Sequence, residues 1–332
     1  MSPRISVDVV IPVYRPGRDD KLLRALRMLQ TQTLPAERII LINTEEKRYT
    51  GWASAERIGE QFPNLTVRHI GKDEFDHAGA RNEGAAQSDA AFLLFMTMDA
   101  VPADEHLIRL LADVMERDEK CAIVYARQLP NPGATEAERS AREFNYPAQS
   151  SRKTLADEER LGIRASFASN VCAMYRRSVF DRLGGFSAPA IFNEDMVFAH
   201  AALHAGYSIQ YCAEARVFHS HDYTAGDQFH RNFDLGVSQA MHPEVFGQVS
   251  SEREGKRFVL ETLRRLFRTG HGKEIPGYLC VCAARYAGFL LGKNYRRLPA
   301  GVVRRCTNQR EFWNRMTGGA GLRIRSIAEE LR

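Results

Sequence analysis

The chain carries no G-x-G-x-x-G after its first apolar stretch and no G-K-[ST] phosphate loop. Those absences argue against a dinucleotide-binding fold and against P-loop phosphoryl transfer. Six cysteines form no C-x-x-C pair and no zinc-ligand spacing, so they read as reduced, mostly structural thiols of a cytoplasmic protein. The N-terminus lacks the basic-then-apolar pattern of a secretion signal. The most apolar late stretch, residues 278–291, reads as too short to span a bilayer and contains Arg285. Internal repeats and low-complexity tracts are missing. Aspartate also disappears late: from Ser250 onward there are 18 Lys+Arg, 7 Glu and no Asp. The net charge there is +11, which leaves −6 for residues 1–249 of a chain whose total is +5.

That asymmetry predicts two functional parts, residues 1–250 and a basic helical region over 251–332. A basic region meets nucleic acid or an anionic membrane face, or is simply a solvated surface. No helix-turn-helix, zinc finger or aromatic RNA-binding motif supports nucleic acid. The alternatives are peripheral association with the cytoplasmic leaflet, or a homodimer through the apolar face of Val259, Leu263 and Leu266 in a helix predicted over 256–268. A second late helix is expected to open at Pro276.

With 44% hydrophobic and 26% charged residues, the chain has the balance of a soluble globular protein. Apolar runs at 7–14, 38–43, 65–70, 91–96, 122–126 and 209–218 read as strands. Helical spacing at 22–32, 53–62, 78–86, 105–117 and 194–205 falls between most of them. The alternation predicts an α/β fold, a mostly parallel sheet flanked by helices, with a ligand at the carboxyl ends of the strands. Residues 131–161 are polar and weakly periodic, and read as an excursion over that edge.

Several groups stand where chemistry is expected. The apolar run 91–96 ends in Thr97-Met98-Asp99. A lone carboxylate there either caps a turn before Pro102 or holds a hard divalent cation that bridges phosphates. Pro12-Val13-Tyr14 and Asn43-Thr44-Glu45 end the first two strands and offer a stacking face and a base-reading amide. In Phe75-Asp76-His77 and Ala80-Arg81-Asn82, a helix start favours an anion, and Arg81 either forks onto a phosphate or pairs with Asp76. Glu194-Asp195 either gains from a helix dipole or supplies a general base, ionised at neutral pH if its pKa is near 4. His219 and His221 follow a strand, and either is structural or completes a metal site begun by Asp99.

Taken in order, Ile11-Pro12-Val13-Tyr14, Ala80-Arg81-Asn82, Thr97-Met98-Asp99, Glu194-Asp195 and a late His resemble the inverting family 2 glycosyltransferases of the GT-A type. Thr97 replaces the first acid of the family's D-x-D, leaving Asp99 as the one carboxylate there. Within that family, Asn43-Thr44-Glu45, His219-Ser220-His221 and Arg231-Asn232-Phe233-Asp234-Leu235-Gly236 look most like bacterial rhamnosyltransferases of O-antigen and surface polysaccharide synthesis. The resemblance implies a nucleotide sugar held by Pro12, Val13, Tyr14, Asn43, Thr44, Asp76, His77, Arg81, Met98 and Glu194. It implies Mg2+ or Mn2+ on Asp99 with His219 or His221, and Asp195 as the base. The implied donor is dTDP-L-rhamnose and the implied acceptor a glycan or lipid-linked glycan. Alternatives are a UDP- or GDP-hexose donor and, further off, a nucleotidyltransferase.

Overall fold

The computed structural model describes residues 5–221, 223–247 and 252–316. The boundary expected near residue 250 and the stretch 317–332 lie outside the described residues. Nine strands are described: β1 (Val7–Tyr14), β2 (Arg38–Thr44), β3 (Leu65–Ile70), β4 (Phe92–Met96), β5 (Val101–Pro102), β6 (Cys121–Leu129), β7 (Ser151–Lys153), β8 (Cys172–Arg176) and β9 (Ser208–Phe218). The helices between them are α1 (Lys21–Gln30), α2 (Glu46–Ala55), α3 (Ile58–Gln61), α4 (His77–Ala86), α5 (Leu107–Arg117), α6 (Glu136–Asn145), α7 (Glu158–Leu161), α8 (Arg177–Arg182) and α9 (Glu194–His204). After β9 the chain is helical: α10 (Ala225–Met241), α11 (Pro243–Phe246), α12 (Glu252–Arg268), α13 (Ile275–Lys293), α14 (Ala300–Cys306) and α15 (Arg310–Met316).

The strands form one sheet in the order β3-β2-β1-β4-β8-β6-β9-β5, with β7 added on β9. The first four are parallel neighbours, as strand–helix alternation requires. Strand β8 then enters between β4 and β6, antiparallel to both, so the sheet is mixed. Every residue of β4 is buried, as its unbroken apolar run requires of a central strand. One face is covered by α1 and α5, with Leu22, Leu26, Leu111 and Met115 in the core; the other is covered by α4, α8 and α9, with Phe180, Phe198 and Leu203 inside. Fully burying a side chain of this size contributes ~1.5–3 kcal/mol.

Three local differences from the sequence reading have simple causes. The helix expected over 53–62 is two helices, because Arg57 takes a left-handed φ of 49° between α2 and α3. The excursion 131–161 holds α6, β7 and α7, and Thr135 caps α6 through its hydroxyl. The apolar face of α12 meets the chain's own α6: Leu266 is buried, Phe258 packs on Phe144, and Thr262 meets Ser140. Arg265 pairs there with Glu136 and Glu143. Of the face expected to form a dimer surface, Leu266 is buried within the chain while Val259 and Leu263 stay partly exposed.

Helix α13 is longer than its apolar stretch implies. With the preceding turn it spans Gly272–Lys293, long and apolar enough by length and composition to cross a membrane, yet only 17% of its most apolar window is buried. One face is fastened to α10 by glycines. A Cβ on Gly288 would lie 2.2 Å from the Phe229 carbonyl oxygen, one on Gly292 2.1 Å from that of Phe233, and one on Gly236 2.4 Å from that of Phe289. The two helix backbones touch, and a methyl group at any of these positions must part them. In an ordinary helix Gly→Ala stabilises by about 0.5–1 kcal/mol. Gly292→Ala is expected to reverse that sign and destabilise by ~1–3 kcal/mol, the cost of overpacking. Gly277→Ala, with nothing within 4 Å of its Cβ, should not destabilise. Urea midpoints of the two variants check the pair, and equal midpoints would refute the contact.

Candidate active site

The register of a two-residue ladder builds the first half of the site. Strand β5 runs antiparallel to the end of β9, pairing Val101 with Phe218 and Pro102 with Val217. Residues just before 101 therefore lie beside residues just after 218. Asp99 is brought to His219 and His221 in this way: His219 Nε2 is 3.6 Å from Asp99 Oδ1, and His221 Nε2 is 3.1 Å from Oδ2. The two imidazole nitrogens are 3.1 Å apart. The strand ends at Phe218, and both histidines converge on one carboxylate; the three donor atoms lie within 4.8 Å of one another.

The electrostatics of the trio suit a cation. Burial opposes the charge on Asp99, but the hydrogen bond from His221 and both imidazoles outweigh it and hold the carboxyl well below the usual range. Burial lowers the pKa of His219 to about 3, so its ring is neutral. Its tautomer is assigned by Gln128, whose Oε1 faces His219 Nδ1 at 2.9 Å. The Gln128 amide is in turn oriented by donating through Nε2 to Tyr146 Oη at 2.6 Å and Ser169 Oγ at 3.0 Å. Its oxygen therefore accepts the Nδ1 proton, leaving the Nε2 lone pair aimed at Asp99.

The second half opens α9. Asn193 takes a left-handed φ of 61°, and the helix begins at Glu194 and Asp195. Glu194 is buried against Arg81, with Oε1 3.2 Å from Nη1, and also accepts from Asn170 Nδ2 at 3.0 Å. Burial resists its ionisation, and the Arg81 charge overcomes that, keeping its pKa lowered. Asp195 accepts from the Asn170 backbone N–H at 3.0 Å and from that of Met196 at 2.8 Å. Burial first, and then the adjacent Glu194 charge, raise its pKa to about 7. The ordinary value near 4 expected for this residue is thereby corrected: the environment tunes it into the neutral range.

Other residues named from the sequence fall around these two halves. Tyr14 and Thr44 are in register at the carboxyl ends of β1 and β2, as are Val13 and Asn43, with Pro12 one residue earlier. Tyr14 is exposed, with Arg15 over its ring at 4.9 Å. Asn43 Oδ1 and Thr44 Oγ1 are buried with no hydrogen-bond partner among the described residues. Buried polar atoms are rarely left so, and these two stand at one edge of the sheet, where a ligand would satisfy them. Met98 is partly buried against the core beside them.

Arg81 departs from its expected role. It is buried, its Nη1 is shared between the His77 carbonyl at 2.9 Å and Glu194, and it props the carboxylate rather than facing a phosphate. Asp76 is likewise occupied: it caps α4 by accepting from Ala78 and Gly79, and it pairs with Arg315 of α15 at 3.2 Å. His77 accepts at Nε2 from the Gln309 amide at 3.2 Å, and burial lowers its pKa.

Sequence reasoning missed the partners of these residues. Gln128 had one weak signal, its place in the polar pair Arg127-Gln128 that follows the apolar part of a strand. Gln309 and Arg315 had none, because their contacts span more than two hundred residues. Arg231 lies on α10 with its guanidinium 4.7 Å from the Phe192 ring and 5.7 Å from the Tyr223 ring, and Tyr223 in turn stacks on His221. It thus carries positive charge between the two halves of the site, and has no ion-pair partner among the described residues.

Comparison with known proteins agrees with this geometry. The model of the family "Glycosyl transferase family 2" matches residues 8–184. The chain is 35% identical over 314 residues to the O-antigen chain rhamnosyltransferase RfbN of Salmonella typhimurium, covering 93% of this chain and 96% of that protein. It is 34% identical over 315 residues to the O-antigen chain rhamnosyltransferase WbaN of Salmonella anatum, with the same coverage. Among solved structures, S. aureus TarS 1–349 in complex with UDP superposes with a TM-score of 0.51 at 14% identity, over 88% of this chain and 92% of that one. The mannosyltransferase PcManGT from Pyrobaculum calidifontis, solved with GDP-Man and Mn2+, gives 0.55 at 15% identity, over 99% of this chain and 88% of that one. These two likenesses concern the fold. With the motifs standing at the sheet edge in their expected order, the chain belongs to glycosyltransferase family 2 and is a glycosyltransferase built on the GT-A fold.

Proposed function

We propose that the enzyme transfers L-rhamnose from dTDP-L-rhamnose to a hydroxyl of a glycan or lipid-linked glycan, with inversion at the anomeric carbon. The observation that carries the reading is the convergence of Asp99, His219 and His221 at the sheet edge that also presents Asp195. The sugar is argued from the two rhamnosyltransferase relatives, which match nearly the whole chain. A pyrimidine base fits the unpartnered Asn43 Oδ1, since its imide N–H would supply the missing donor. A UDP- or GDP-hexose donor is the alternative on this fold.

The Asp99 carboxylate and the neutral imidazole of His219, with His221 beside them, form a donor set that fits a divalent cation. Two imidazoles favour Mn2+ over Mg2+, which prefers oxygen ligands. Bound there, the ion would supply positive charge to the departing diphosphate. Arg231 adds charge from the other side, held flat by two rings. Asp195 takes the proton of the acceptor hydroxyl as its oxygen bonds to the anomeric carbon and the bond to the diphosphate breaks on the opposite face. One displacement on a β-linked donor gives an α-L-rhamnoside.

Residues 1–250 are proposed as the transfer unit and 251–332 as a docking region for the cytoplasmic face of an anionic membrane, where a lipid-linked acceptor would reside. Leu260 and Phe267 of α12, Leu279, Tyr286 and Leu290 of α13, and Val302 of α14 are exposed. Exposed Arg264, Arg268, Arg296, Arg304 and Arg305 accompany them. Each well-placed basic residue contributes about 1 kcal/mol at such a surface.

Three measurements test these assignments. Asp195→Asn is expected to lower kcat by about 10²–10⁴-fold while donor binding survives. The base works deprotonated, so the wild-type rate should rise with pH and level off above about 7, a value that burial and Glu194 raise and Arg81 lowers, while Tyr146 and Tyr175 beside it stay neutral. Normal turnover in the mutant, or a limb at the ordinary carboxylate pH, removes Asp195 from the role. In thermal-shift titrations dTDP-rhamnose with Mn2+ should raise Tm more than UDP- or GDP-hexoses. Gln128→Ala should require about 10–100-fold more Mn2+ for the same rise. A larger response to a UDP-hexose would overturn the donor. Finally, the full chain should co-sediment with anionic phosphatidylglycerol vesicles at low salt and release at high salt; no sedimentation at low salt rejects the docking surface.

A further inference from the structure

Helix α9 carries a second set of metal-ligating side chains at its other end. His200 and His204 are one turn apart, so they project from the same face. Their ring centroids are 4.2 Å apart. Facing them is Glu158, the first residue of α7, on the segment that joins β7 to β8. Its Oε1 lies 3.4 Å from His200 Nδ1 and 3.3 Å from His204 Nε2, and the three donor atoms fall within 4.8 Å of one another. The geometry points to a second divalent-cation site, formed by Glu158, His200 and His204, that takes Zn2+ or an ion of similar chemistry.

Two features favour an ion over a plain ion pair. First, 3.3 and 3.4 Å are long for a charge-assisted hydrogen bond, which prefers about 2.7–2.9 Å. They match the edge of a tetrahedron whose centre lies 2.0–2.1 Å from each ligand, which is about 3.3–3.4 Å. Second, one carboxylate oxygen serves two imidazoles at once, and two protonated rings this close would repel. Two imidazoles and a carboxylate are the donor set of a zinc centre with a fourth position left to water.

This site shares no residue with the Asp99 trio and none of its ligands faces the transfer chemistry. Its effect is mechanical. Glu158 belongs to the excursion that runs from α6 to β8, and the histidines belong to the helix whose first residues are Glu194 and Asp195. An ion there ties the excursion to that helix from outside.

The test uses the full chain, stripped with chelator and dialysed against Zn2+, with bound metal counted by elemental analysis. The wild type is expected to hold two equivalents. His204→Gln, at a half-exposed position that tolerates change, should hold one, and His221→Gln should also hold one by losing the other. Tryptic cleavage at exposed Arg160 should slow when Zn2+ is added to the wild type and not to His204→Gln. Glu158→Gln should behave as His204→Gln does. Two equivalents in His204→Gln, or a single wild-type equivalent that His221→Gln abolishes, overturns the site. Loss of metal in His204→Gln and Glu158→Gln but not in His221→Gln would leave this site standing and count against the Asp99 trio, so the two assignments fail separately.

Discussion

Two rungs of antiparallel ladder, Val101 with Phe218 and Pro102 with Val217, are the constraint on which the site depends. Strand β4 ends in the middle of the sheet and β9 lies two strands beyond β8, and this ladder, extended by Ala103 N donating to the Arg216 carbonyl at 3.0 Å, brings position 99 beside positions 219 and 221. The turn after β4 is short, closed by Ala100 N donating to the Thr97 carbonyl at 3.1 Å, and it leaves Asp99 little choice of direction. A change of one residue in that register would move the carboxylate by a full pleat and separate it from both rings. The side chains of the trio are thus placed by backbone pairing, and Gln128 then sets the proton on one of them.

A second constraint is electrostatic. Two adjacent carboxylates at the start of α9 cannot share a partly buried site on equal terms. Arg81 resolves the conflict by pairing with Glu194 alone. Glu194 stays charged, and its charge joins burial in raising Asp195 toward neutrality. The buried arginine therefore acts on the transfer chemistry through a neighbour, and a residue read from sequence as a phosphate ligand becomes part of the machinery that sets a proton's affinity.

How much of this was readable in the chain follows from distance along it. The strands β1 to β4, the helices between them and the positions of Asp99, Glu194 and Asp195 were readable, because each is announced by residues within a few positions. The insertion of β8 antiparallel between β4 and β6 was not, since a buried strand looks alike in either direction. Helix α10 was overlooked because its buried face holds Asn232, Asp234 and Ser238 beside Phe233 and Val237, which blurs the apolar stripe. The raised pKa of Asp195 needed the arrangement of three partners from three elements. Arg81 and Asp76 kept their places but changed their work, because the groups that engage them lie far off in sequence.

The tie between Asp76 and Arg315, residues 239 positions apart, has a consequence for how the molecule comes into being. The cap of α4 and the wall around His77 are made early in synthesis, yet the groups that clasp them, Gln309 and Arg315, are made more than two hundred residues later. While the ribosome is still extending the chain, the sheet can form and pack, but that corner stays without its final partners. That corner closes only once residue 315 has emerged, so its cap and wall are assembled well before they are clasped.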